Sequence, residues 1–122
     1  MADTKDNQYS RAPELEDVVF ICKSLNEAGA KYILIGGFAV ILQGAARFTK
    51  DIDLLVDPSV ENVKKLKKAL GQLPDKAIAL IEDDEVEKYV VVRVADEVVI
   101  DLMAKACGIN YDEAIREVEY KK

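Results

Sequence analysis

Leu15, Val18, Val19, Cys22 and Leu25 recur at helical spacing behind Pro13, which predicts a helix from about Pro13 to Ala28 with Gly29 as its left-handed cap. Tyr32-Ile33-Leu34-Ile35 is a short β-prone apolar run and reads as a first strand. The Gly36-Gly37 pair ends that strand. Phe38-Ala39-Val40-Ile41-Leu42 is then apolar enough for a short buried helix stopped by Gly44. Asp51-Ile52-Asp53-Leu54-Leu55-Val56 alternates and then turns fully apolar before Asp57-Pro58, as a second strand would. Ser59 caps a further helix, with Val60, Val63, Leu66 and Leu70 as its apolar stripe and Lys64, Lys65, Lys67 and Lys68 on its solvated face up to Gly71.

The stretch from Leu73 to Lys88 holds Pro74 and the acidic run Glu82-Asp83-Asp84-Glu85, and reads as a solvated connection. Tyr89 to Val94 and Val98 to Met103 are strand-like, with Asp96 in a tight connection, so an antiparallel hairpin is expected. Asn110 and Glu113 form a capping-box pattern ahead of Tyr111, Ala114, Ile115 and Val118, the stripe of a last amphipathic helix. The order αβαβαββα implies an α+β domain, a mixed sheet with helices packed on it. Residues 1–11 are expected to be a polar lead-in, and residues 12–122 one domain.

Composition narrows the chemistry. The chain has 122 residues, a net charge of −6, half of its residues apolar and a third charged, which is the balance of one small globular domain. It contains no histidine, and this excludes HExxH zincins and Ser-His-Asp hydrolases. The acidic balance argues against binding nucleic acid through a broad basic field, so a polyanion would need a bridging metal or a local basic patch. Cys22 and Cys107 are far apart and outside any CxxC pair, and read as buried or incidental thiols. The longest uncharged stretch, Tyr32 to Ala46, is too short and too glycine-broken to span a bilayer, and the polar N-terminus lacks the apolar core of a secretory signal, so a cytoplasmic location is expected.

Asp51 and Asp53, two apart on a strand, share a face, and their mutual repulsion would be relieved by a divalent cation. Taken alone, such a pair reads first as polar residues on the solvent face of an edge strand. An EF-hand is excluded, because its sixth and twelfth positions would be Val56 and Asn62. Asp101 stands among Val98, Val99, Ile100, Leu102 and Met103, where a carboxylate is costly unless paired or metal-bound. Gly36-Gly37 taken alone is either no more than a tight turn or a strand-to-helix turn that points backbone N–H groups at an anion, and that choice stays open. Arg93 lies on the face of Asp101 or on the opposite one according to whether the hairpin loop has three residues or two, and that choice stays open. The four lysines of the second helix are read as a solvated face rather than an RNA-attracting patch.

Together, Gly36-Gly37 after an apolar strand, the Asp51-Ile52-Asp53-Leu54 strand, and Asp101 on a later strand resemble the polymerase-β-type nucleotidyltransferase superfamily. GGFAVILQGAARFTKDIDLLV is similar to the branch holding the minimal nucleotidyltransferases and the AbiEii-type toxins, and the likeness runs from Tyr32 to Met103. The resemblance implies a metal-dependent transfer of a nucleoside monophosphate from an NTP such as ATP to a hydroxyl on RNA, protein or a small molecule, with pyrophosphate release, in a toxin–antitoxin setting. Asp51, Asp53 and Asp101 would be the catalytic, metal-binding acids for two Mg²⁺ ions. Gly36, Gly37, Arg47 and Thr49 would bind nucleotide. Larger relatives carry a C-terminal helical extension beyond the third acid that this sequence lacks. Either a partner protein or a homodimer would then complete the acceptor site, or the chain is a fragment of a longer protein, and the alternative function is a catalytically silent binding module or partner subunit of the same fold.

Overall fold

The computed structural model describes residues 10–36, 51–106 and 108–121, the last five of these by backbone alone. The expected short helix over Phe38 to Leu42, together with Gly37, Arg47, Thr49 and Cys107, lies outside them. Helix α1 spans Leu15–Ala28, and Gly29 closes it at φ 73°, the left-handed conformation that the absence of a Cβ makes inexpensive. The helix starts two residues after Pro13 because the Glu14 backbone N–H donates to Asp17 Oδ2 at 2.7 Å, which fixes Glu14 as the cap. Strand β1 is Tyr32–Ile35, β2 is Asp51–Val56, and helix α2 is Val60–Leu70. Then come a 3-10 turn over Ala77–Leu80, a single helical turn α3 at Glu85–Lys88, and strands β3, Val92–Ala95, and β4, Val99–Met103. A small ribbon of β5, Lys105–Ala106, and β6, Ile109–Asn110, leads into helix α4, Tyr111–Lys121.

The main sheet runs β1-β2-β4-β3. β2 and β4 pair in parallel, while β1 on β2 and β3 on β4 are antiparallel, so the sheet is mixed, as the element order implied. Alternation sorts the faces. Ile52, Leu54 and Val56 of β2, Val92 and Val94 of β3, and Ile100 and Leu102 of β4 join Val18, Ile21 and Leu25 of α1 and Val63, Leu66 and Leu70 of α2 in one core. The odd-numbered residues of β2 and β4 are thereby turned to the opposite face, where the acids lie.

Four local expectations change. In α1, Leu15 and Val19 are exposed and Ile21 is buried beside Val18 and Leu25. Val60 is 47% exposed, and Asn62 takes the buried place in the stripe, because its amide accepts from Lys31 N at 2.7 Å and donates to Lys31 O and Asp57 O, tying the entry of β1 to the exit of β2. The connection after α2 is not merely solvated: it buries Leu73, Ile78, Ile81 and Val86 in the core, while its acidic run stays outside, with Asp83 paired to Lys67 at 2.8 Å. Tyr89, Val90 and Val91 lie outside β3 and are exposed, Val90 by 84%, because the ladder ends at Val92 opposite Leu102 as β4 gives way to the β5–β6 ribbon. The capping box before α4 is as expected, with Glu113 N donating to Asn110 Oδ1 and Asn110 N to Glu113 Oε1.

The end of the polar lead-in is anchored. Ser10 Oγ donates to Asp96 O, Arg11 N to Glu97 O, and the Arg11 guanidinium grips both oxygens of Asp17 at 2.7 Å. The Arg11 hydrogen bonds hold the Asp17 carboxyl below its ordinary value. A lowered carboxylate pKa stabilises the fold above the unfolded-state value and loses that contribution as pH falls through the folded-state value. Urea midpoints at neutral pH and at pH ~3 are therefore expected to differ less for Asp17→Asn than for the unsubstituted protein. Among the described residues no helix is long and apolar enough to cross a membrane.

Candidate functional site

The strand register builds the site. Asp53 of β2 lies beside Asp101 of β4 in the parallel ladder, Ile35 of β1 faces Asp53 on one side, and Arg93 of β3 faces Asp101 on the other. Asp51 is two residues back along β2, on the face of Asp53. Asp51, Asp53 and Asp101 each offer a carboxylate oxygen, and these oxygens all lie within 4.8 Å of one another. Asp101 is buried and the other two are half-buried.

Three adjacent carboxylates repel one another, and among the described residues the Arg93 guanidinium is set against them. Arg93 Nε donates to Asp101 Oδ1 at 2.9 Å, and its Nη2 donates to Asp101 Oδ2 at 3.0 Å and to Asp51 Oδ2 at 3.1 Å. This pairing meets the cost of burying Asp101 between Ile100 and Leu102. The same hydrogen bonds, chiefly those to Asp101, raise the pKa of Arg93. Asp53 is held above the ordinary carboxylate value, first by burial and then by the charges of Asp101 and Asp51, with Arg93 pulling the other way.

Gly36 is positioned by the same register. It follows Ile35 at φ 78°, and a Cβ built on it would overlap Asp53 Oδ2 and come within 3.2 Å of Asp53 Cβ and Cγ. The missing side chain thus makes room for an acid. Gly36→Ala is expected to cost about 1–2 kcal/mol through the left-handed backbone and to turn the Asp53 carboxylate away from the cluster. Such a displacement is expected to weaken divalent-cation binding at the cluster by about tenfold to a hundredfold. Chemical denaturation alongside a Mn²⁺ titration separates the two effects, and unchanged Mn²⁺ affinity would contradict this role of Gly36.

Of the residues singled out by sequence, the structure brings Asp51, Asp53, Asp101 and Gly36 together; Gly37, Arg47 and Thr49 lie outside the described residues. β2 is an inner strand with Asp101 beside it, so Asp51 and Asp53 do not lie on an edge strand. Arg93 joins the acids because the hairpin connection spans three residues, 96–98, which puts it on the face of Asp101. Lys67 is spent on Asp83, and Lys65 lies 3.9 Å from Glu61 on its own helix, in keeping with a solvated face.

The donor set is all oxygen, half-buried and anionic, and suits a hard divalent cation such as Mg²⁺. A family model described as nucleotidyl transferase AbiEii toxin, type IV TA system, matches residues 19–114, from α1 into α4, and so contains the acid cluster, Gly36 and Arg93. No curated protein and no solved structure gives a significant match.

Proposed function

Because the chain belongs to the AbiEii nucleotidyltransferase toxin family of type IV toxin–antitoxin systems, we propose that its acid cluster transfers a nucleoside monophosphate from an NTP to a hydroxyl group. The observation that carries this reading is the meeting of Asp51, Asp53 and Asp101 on one sheet face, with their oxygens within 4.8 Å of one another. Asp51 and Asp53 would hold the Mg²⁺ that accompanies the triphosphate, and Asp101 would share a second ion with them. Bound there, divalent ions supply Lewis-acid stabilisation of the charge that builds on the attacking and leaving oxygens. Asp101 helps take the proton of the acceptor hydroxyl, whose oxygen forms a bond to the α-phosphorus as the bond to the β-phosphate bridging oxygen breaks and pyrophosphate leaves. Gly36 keeps the space against Asp53 open. Gly37, Arg47 and Thr49 are assigned to the triphosphate on the family resemblance. The family also supplies the expectation of an antitoxin partner, and the acceptor is RNA, a protein or a small molecule.

Incubation with each α-labelled NTP and Mg²⁺, in the presence of total RNA or of a cell extract, tests the proposal. The expected result is label on a macromolecule or small hydroxyl compound together with free pyrophosphate. Triphosphate binding without label in any fraction would overturn the enzymatic reading in favour of a silent binding module.

A further inference from the structure

Arg93 occupies the position a cation would take. Its Nη2 sits 3.1 Å from Asp51 Oδ2 and 3.0 Å from Asp101 Oδ2, between two of the three acids, while Nε holds the other oxygen of Asp101 at 2.9 Å. A divalent ion bridging Asp51 and Asp101 and this nitrogen cannot share that place. The side chain is free to yield it: β3 is an edge strand, and Arg93 is 58% exposed, against 8% for the Asp101 side chain. Charge leads the same way. Among the described residues the guanidinium is a positive charge set against these carboxylates, so it competes with a free divalent cation, and the anionic oxygens of a triphosphate balance the positive charge when both are present.

We propose that Arg93 is an exchangeable counter-ion of the acid cluster, which disfavours the free divalent cation and favours the cation delivered as its nucleoside triphosphate complex. With free cation, the guanidinium is pushed off Asp51 and gains only water. With the metal–triphosphate, the displaced guanidinium meets phosphate oxygens at the exposed side of the cluster, and a planar two-pronged donor suits such oxygens. Arg93 is thus a positioning and selectivity residue, distinct from the acids that hold the metal. This inference rests on the metal-binding reading of Asp51, Asp53 and Asp101.

The test is a pair of titrations on the full chain, of unsubstituted protein, Arg93→Gln and Arg93→Lys: Mn²⁺ alone, followed by electron paramagnetic resonance, and Mn²⁺ with a triphosphate whose αβ bridge cannot be cleaved. Arg93→Gln is expected to bind Mn²⁺ alone about fivefold more tightly and the Mn²⁺–triphosphate about fivefold more weakly. Arg93→Lys, which keeps the charge and loses the fork, falls between. Thermal melts with and without Mn²⁺ confirm folding, and the Mn²⁺-induced rise in melting temperature is expected to be larger for Arg93→Gln. Unchanged or weaker Mn²⁺ binding by Arg93→Gln would make Arg93 a scaffold for the acids and overturn the inference while leaving the metal site standing. No Mn²⁺ binding by any of the three proteins would overturn the metal-site reading itself, and the inference with it.

Discussion

Asp53→Asn is expected to lower nucleotidyl transfer by at least about a hundredfold, since the lost interaction with the metal–triphosphate accounts for several kcal/mol of transition-state stabilisation. The fold is not expected to suffer. Asp53 lies beside Asp101 in the ladder and two residues from Asp51, and burial together with those two charges raises its pKa. A raised carboxylate pKa means that the ionised form is disfavoured in the folded state, so replacing it with a neutral amide of the same shape relieves repulsion at neutral pH. Without divalent cation the melting temperature of Asp53→Asn should therefore equal or exceed that of the unsubstituted protein. Loss of activity with undiminished stability separates a functional carboxylate from a structural one. Full activity in Asp53→Asn would sink the assignment.

Asp96→Ala should do the reverse. Asp96 is fully buried in the β3–β4 connection, and its carboxylate accepts from Asp75 N at 2.9 Å, Ala77 N at 2.8 Å and Glu97 N at 2.7 Å. One side chain thereby fastens the hairpin connection to the segment that follows α2. Removing it leaves three backbone donors to find other partners, at an expected cost of about 3–5 kcal/mol. For a domain of this size that lowers the melting temperature by roughly 10–20 °C. Asp96→Asn keeps one acceptor oxygen and should lose about half as much. Urea denaturation of the three proteins checks the order, and an Asp96→Ala midpoint within error of the unsubstituted protein would show that these bonds contribute little.

The two acids contrast in how far the sequence exposed their roles. The period of two put Asp51 and Asp53 on one face of a strand, and the turn at Gly36 could be placed directly after β1. The meeting of Asp101 with them was not available from local pattern, because it depends on β4 entering the sheet parallel to β2 across a separation of about 50 residues in the chain. Family resemblance supplied that expectation. Arg93 was undecided for a narrower reason: one residue more or less in the hairpin connection reverses every side chain of β3, and nothing in Ala95-Asp96-Glu97-Val98 selects the length. Asp96 itself looked like an ordinary turn residue, since its partners are backbone groups around 20 positions earlier. The buried residues between α2 and β3 were hidden by the charges among them. Ile78, Ile81 and Val86 follow no regular period over a 3-10 turn and a single helical turn, so the acidic run dominated the reading.

If the three carboxylates form a metal–triphosphate site, calorimetric titration of each of the four Mg²⁺–nucleoside triphosphates, at matched ionic strength, will show at least one of them binding the unsubstituted protein and none binding Asp53→Asn. Equal binding to both proteins, or binding to neither, would mean that these carboxylates do not hold a metal–triphosphate.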